Sequence, residues 1–166
     1  MKTNTRKIVS ASMLAALCCV ATMIIKVPSP LKGYLNLGDC VVLLSGWLLT
    51  PGYGFAAAGI GSALADIFSG YIIYAPATFL IKGFMALIVN FCFKKTHNKL
   101  GNTLSRLIGG VFAEIAMILG YFIFEGFMYG FPPSVVNIPA NGVQGIAGLI
   151  IGLILIKVFE KSKIFD

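Results

Sequence analysis

The stretch CVVLLSGWLLTPGYGFAAAGIGSALA runs from Cys40 to Ala65 without a charged residue. It reads either as one tilted membrane helix or as two short helices meeting at Thr50-Pro51-Gly52-Tyr53-Gly54. The positions of the basic residues decide between the two. A turn at Pro51-Gly52 gives six spans. Lys2, Arg6 and Lys7, then Lys94, Lys95, Lys99 and Arg106, then Lys157, Lys161 and Lys163 then fall on one side, and Lys26 and Lys32 on the other. A single span sends the second and third groups to the outer side with Lys26 and Lys32, which reverses the bias of Lys and Arg toward the cytoplasm. The turn is also favoured locally, because Pro has no amide proton to donate and Gly tolerates positive φ.

Working outward, the other charge-free runs are Ile8 to Ile25, Ala77 to Phe93 interrupted by Lys82, Leu107 to Phe124 interrupted by Glu114, and Pro139 to Ile156. Several approach the roughly 20 residues that a membrane helix needs. The whole chain is 58% apolar and 11% charged, with a mean hydropathy of +0.91. A water-soluble domain of that composition would expose large apolar patches. The expected fold is therefore all-α, a single integral membrane bundle over residues 1–166 with both termini in the cytoplasm. The spacing predicts helices at about 7–25, 37–50, 53–69, 77–93, 106–128 and 139–159, with His97 in a cytoplasmic loop. The two short central helices need outer loops or local thinning of the bilayer to complete them.

Composition excludes several function classes. The net charge of +7 sits at span ends, where the cytoplasmic bias accounts for it, so no nucleic-acid partner is expected. Cys18, Cys19, Cys40 and Cys92 lack CxxC spacing and fall mostly inside apolar runs, which supports neither a metal site nor disulfides. Lys2, Arg6 and Lys7 before an apolar run imitate a signal peptide, but the run is longer than the usual ~7 to 15 residues and reads as a span. Little chain remains outside the spans, so a nucleotide-hydrolysing module is expected on another polypeptide.

Ionisable side chains inside lipid cost several kcal/mol unless they face a cavity or a partner. Tyr74, Thr78 and Lys82 repeat every four residues along helix 4. Glu114, Tyr121 and Glu125 share a stripe on helix 5, and Asn137, Asn141 and Gln144 share one on helix 6. Three stripes at similar depth below the outer surface predict a pocket for a small polar molecule. Tyr34, Tyr74 and Tyr121 are suited to stack on a flat heterocycle, and Lys82, Asn141 and Gln144 to supply directional hydrogen bonds, with Asn36 beside Tyr34. The plainer alternative pairs Lys82 with Glu125 or Asp66 simply to neutralise both, and uses the amides as glue between helices. Asp39 and Asp66 are read as structural polar residues, and His97 and Trp47 as solvated and packing residues. Glu114 lies deeper, where a structural or partner-facing role suits it as well. Ala11 and Ala15, with Ser12 and Ala16 beside them, make a flat small-residue face that permits close approach by another helix.

Gly33-Tyr34-Leu35-Asn36-Leu37-Gly38-Asp39, then Thr50-Pro51-Gly52-Tyr53-Gly54, then Gly59-Ile60-Gly61-Ser62-Ala63-Leu64-Ala65-Asp66 and Tyr74-Ala75-Pro76-Ala77-Thr78-Phe79-Leu80-Ile81-Lys82-Gly83 together resemble the substrate-binding S component of energy-coupling factor vitamin transporters. The likeness is to the riboflavin-transporter-like families and covers nearly the whole chain. It implies a prokaryotic plasma membrane, a membrane coupling subunit and two cytoplasmic ATPases as partners, and no cofactor in this chain. It also implies docking through Ala11 and Ala15, and a vitamin held between the first outer loop and helices 4 to 6. In that family's mechanism the loaded subunit topples in the membrane. Absence of a GxxxxGK[ST] phosphate loop fits ATPases on other chains.

The leading expectation is thus a binding and translocation subunit without catalysis. A membrane enzyme using Glu114, Glu125, Asp66 and His97 is the rival, disfavoured because the carboxylates lie mostly far from His97. A stand-alone carrier would show repeated halves or a polar path through all depths. The substrate stays open between riboflavin, a pyridoxine-like or hydroxymethylpyrimidine-like ring, and pantothenate held by Lys82. On this reading Lys82→Ala abolishes tight binding while expression persists.

Overall fold

Thr50 is in extended conformation (φ −69°, ψ 156°) and Pro51 occupies the first helical position, so the chain turns where the sequence predicts. The computed structural model describes residues 4–29 and 34–162. Lys2, Lys32, Gly33 and Lys163, which entered the charge count or the motif, lie outside the described residues. The elements are α1 (Asn4–Ile24), β1 (Lys26–Pro28), β2 (Tyr34–Asn36), α2 (Gly38–Leu48), α3 (Pro51–Phe68), α4 (Ala75–Tyr129), α5 (Phe131–Ser134), a 3-10 turn (Val135–Asn137) and α6 (Ile138–Ser162).

α2 is the centre of the bundle, packed against α1, α3, α4 and α6. Every residue from Gly38 to Trp47 is buried, as expected of a helix apolar all round. Its last carbonyls have no partner within the helix. The Asn90 amide supplies one, donating to Gly46 O and Leu49 O at 2.9 Å each. Glycines let the neighbours close in: a Cβ at Gly46 would lie 2.6 Å from Ala86 O, and one at Gly61 2.4 Å from Ala15 O. Leu14, Cys18, Val42, Leu43, Leu44, Met85, Val89 and Met117 fill the core.

The region around His97 differs from its expected form as a loop. Helix continues through it, and α4 is interrupted only at Gly101 (φ 75°, ψ 168°), a backbone conformation that side-chain-bearing residues avoid. The break folds α4 back on itself. A Cβ at Gly109 would sit 3.0 Å from Cys92 Cβ and one at Gly120 2.9 Å from Ile81 Cγ1, so the arms 75–100 and 102–129 pack antiparallel. His97 is half-buried, with Nδ1 2.9 Å from Phe93 O and its ring stacked on Phe93 at 5.1 Å. Arg106 binds Glu160 at 2.6 Å and lies 5.0 Å from the Phe93 ring centre, tying the second arm to the end of α6.

The all-α expectation also needs a small amendment. β1 and β2 form an antiparallel hairpin with Lys26, Val27 and Pro28 opposite Asn36, Leu35 and Tyr34. Among the described residues, three stretches are long and apolar enough to cross a membrane: Asn4–Ile24, Ala75–Tyr129 and Phe131–Lys161. Large apolar side chains such as Ile24, Phe68, Phe91, Phe112, Phe127 and Ile146 are exposed over the outside of the bundle, which suits a lipid solvent.

Candidate functional site

The β1–β2 hairpin covers one end of the bundle, and beneath it lies a narrow, partly open cleft. β2 contributes Tyr34 and Asn36, the last turn of α3 contributes Asp66, and the turn into α4 contributes Tyr71 and Tyr74. Thr78 comes from the first arm of α4, Tyr121 and Glu125 from the second, Asn141 and Gln144 from α6, and Ser29 from the end of β1.

Hydrogen bonds fix these walls. Tyr34 donates to Asp66 Oδ1 at 2.6 Å, the length of a bond to an ionised carboxylate. Burial and the neighbouring Asp66 charge push the Tyr34 hydroxyl up from its ordinary range, so it stays a donor. Thr78 Oγ1 and Tyr121 Oη are 3.0 Å apart. Glu125 Oε1 accepts from Asn137 Nδ2 at 2.9 Å and from Tyr74 Oη at 3.5 Å. The second oxygens, Asp66 Oδ2 and Glu125 Oε2, are buried and without a hydrogen-bond partner among the described residues. Tyr34 and Tyr71 lie 4.8 Å apart, tilted by 51°, and Tyr71 meets Tyr74 edge-on at 6.3 Å.

Of the expected substrate contacts, the structure brings Tyr34, Asn36, Tyr74, Thr78, Tyr121, Glu125, Asn141 and Gln144 to the cleft wall. Two expected contacts lie behind the wall. Asn137 is 2% exposed and holds Glu125. Lys82, also 2% exposed, is paired with Asp39, correcting the expected pairing with Glu125 or Asp66. Its ammonium sits 5.4 Å from the Tyr121 ring centre, on the floor below the cleft.

Asp39, expected to be structural, is the partner of Lys82. Asp66, expected to be structural as well, instead belongs to the wall. Gln144 joins floor and lid: Nε2 donates to Asp39 Oδ2 at 2.6 Å, while Oε1 accepts from the Asn36 amide at 2.9 Å. Tyr71 and Ser29 were missed. Tyr71 lies three residues before Tyr74, a spacing that a search limited to the spans passes over.

Glu114 lies off the cleft, buried against Gly145, where a Cβ would come 2.9 Å from Oε2. Neither of its oxygens has a partner among the described residues. Ala11 and Ala15 line a separate, open apolar groove between α1 and α3, with Ala16, Ala56, Ala57 and Ile60.

The chain is 39% identical over 134 residues to an uncharacterized protein encoded in the gap 3' region of Pyrococcus woesei, covering 80% of this chain and 87% of that one. It is 28% identical over 177 residues to a UPF0397 protein of Streptococcus agalactiae, covering 98% and 95% of the two chains. A solved structure described as the S component of a bacterial ECF transporter superposes with a TM-score of 0.77 at 25% identity, over 96% of this chain and 98% of that one. Residues 2–161 match the family model for the ECF-type riboflavin transporter, S component, and the chain belongs to that family.

Proposed function

We propose that this chain captures a small water-soluble vitamin or vitamin precursor, a flat heterocycle, from outside a prokaryotic cell and delivers it inward without chemistry of its own. The observation that carries this reading is the cleft under the hairpin, where the polar stripes of α4 and α6 meet four tyrosine rings in a chain that is otherwise apolar. Six crossings, with both termini and the basic residues of Lys94 to Arg106 in the cytoplasm, follow from the charge distribution. The hairpin and cleft then face outward. A membrane coupling subunit and two cytoplasmic ATPases supply the energy, and the coupling subunit docks along the groove at Ala11 and Ala15.

Against the enzyme reading, Asp66 and Glu125 line the cleft at the hairpin end of the bundle, while His97 lies four residues before the Gly101 break with its ring stacked on Phe93.

Co-expression with such an ATPase module, followed by reconstitution, tests the proposal. Uptake of a co-purifying small molecule is expected to require ATP in the compartment of the ATPases. Uptake that persists with the chain alone would make it a self-sufficient carrier instead.

A further inference from the structure

The charge balance of the cleft says which ligands it takes, a step that rests on the S component reading above. Among the described residues of the wall, the two with formal charge, Asp66 and Glu125, are both acidic and are only 5% and 3% exposed. Tyr34, Asn137 and Tyr74 direct their donors at one oxygen of each. The other oxygen of each is buried without a partner among the described residues, a costly state unless something answers it.

Among the described residues the cations do not. Lys26 and Lys82 both act on the Asp66 carboxylate. Lys82 is spent on Asp39, and Lys26 donates to Ser69 Oγ with its ammonium 5.6 Å from the Tyr34 ring centre. Tyr34, Tyr71, Tyr74 and Tyr121 line the cleft beside uncharged polar side chains, and tyrosine faces attract cations.

We propose that the cleft is selective for a flat heterocycle bearing a positive charge, balanced by Asp66 and Glu125 and seated among Tyr34, Tyr71 and Tyr74. A carboxylate-bearing ligand would add a third negative charge to a buried site, and a neutral ring would leave both carboxylates unanswered.

The test is calorimetric titration of the full chain in nanodiscs at pH 7. Thiamine and pyridoxamine serve as cationic probes, riboflavin as the neutral one and pantothenate as the anion, and native mass spectrometry of the freshly purified protein runs in parallel. The expected result is binding of a cationic probe, or a co-purified ligand that is cationic at pH 7. Asp66→Asn and Glu125→Gln should each weaken it tenfold or more and narrow the preference for cation over neutral ring. The same thermal midpoint in variant and wild type excludes misfolding; if one variant fails that check, the other decides. Tight binding of riboflavin or pantothenate that Asp66→Asn leaves intact overturns the charge assignment and spares the transport role. Finding no bound small molecule by either method overturns both.

Discussion

Asp39 is fully buried, and it holds Lys82 through one oxygen and Gln144 through the other. Removing one member of such a pair strands the other charge, at a cost of about 3–5 kcal/mol. Lys82→Ala should therefore lower the thermal midpoint sharply in detergent, and Lys82→Met combined with Asp39→Leu should recover most of the loss. An unchanged midpoint in the single variant would show the pair to be idle. This replaces the expectation that Lys82→Ala acts on binding alone.

The sequence marked Lys82 as exceptional because a charge inside an apolar run must be answered. It did not show what answers it, since Asp39 is 43 residues away at the start of another helix and joins it only when α2 packs on α4. Gln144 was likewise visible as a polar residue on a stripe. Its double role, holding Asn36 of the hairpin and Asp39 of the floor, depends on contacts across more than a hundred residues.

Among the elements, the turn between α2 and α3 was legible because Pro51 and Gly52 leave few alternatives, whereas the break in α4 was not. Polar residues from Lys94 to Arg106 look like a loop, yet only Gly101 departs from helix. Gly101→Ala is expected to cost about 1–3 kcal/mol through backbone strain; urea or thermal unfolding would show it, and an unaffected protein would mean the break relaxes freely. The contact of α1 with α3 makes a second demand. Gly61→Val places a side chain where Ala15 O already stands, and overpacking of this kind costs about 1–3 kcal/mol. Loss of stability should be accompanied by weaker assembly with the transport partners, because the same two helices form the alanine groove.

At the scale of the whole molecule, the apolar exterior and that groove are the surfaces left for lipid and for other chains. Ala11 is only 8% exposed, so a bulky residue there fills the groove from its floor. Ala11→Trp should abolish co-purification with the coupling subunit while ligand affinity, set at the hairpin end, stays within about twofold. A complex that still forms would place the docking surface elsewhere. Residue class and spacing exposed this face in the sequence, since small side chains every fourth position imply a close neighbour. They did not show that α3 supplies the other wall.

α2 has 11 residues, about 16 Å of helix at ~1.5 Å per residue, against a hydrocarbon layer of roughly 30 Å. Its closing turn is sealed by Asn90 rather than by solvent. Beyond it Arg6, Lys7, Thr50 and Tyr53 border an open basin. In a bilayer, a helix this short would leave that depression open to headgroups and water, a local thinning set by α2 alone.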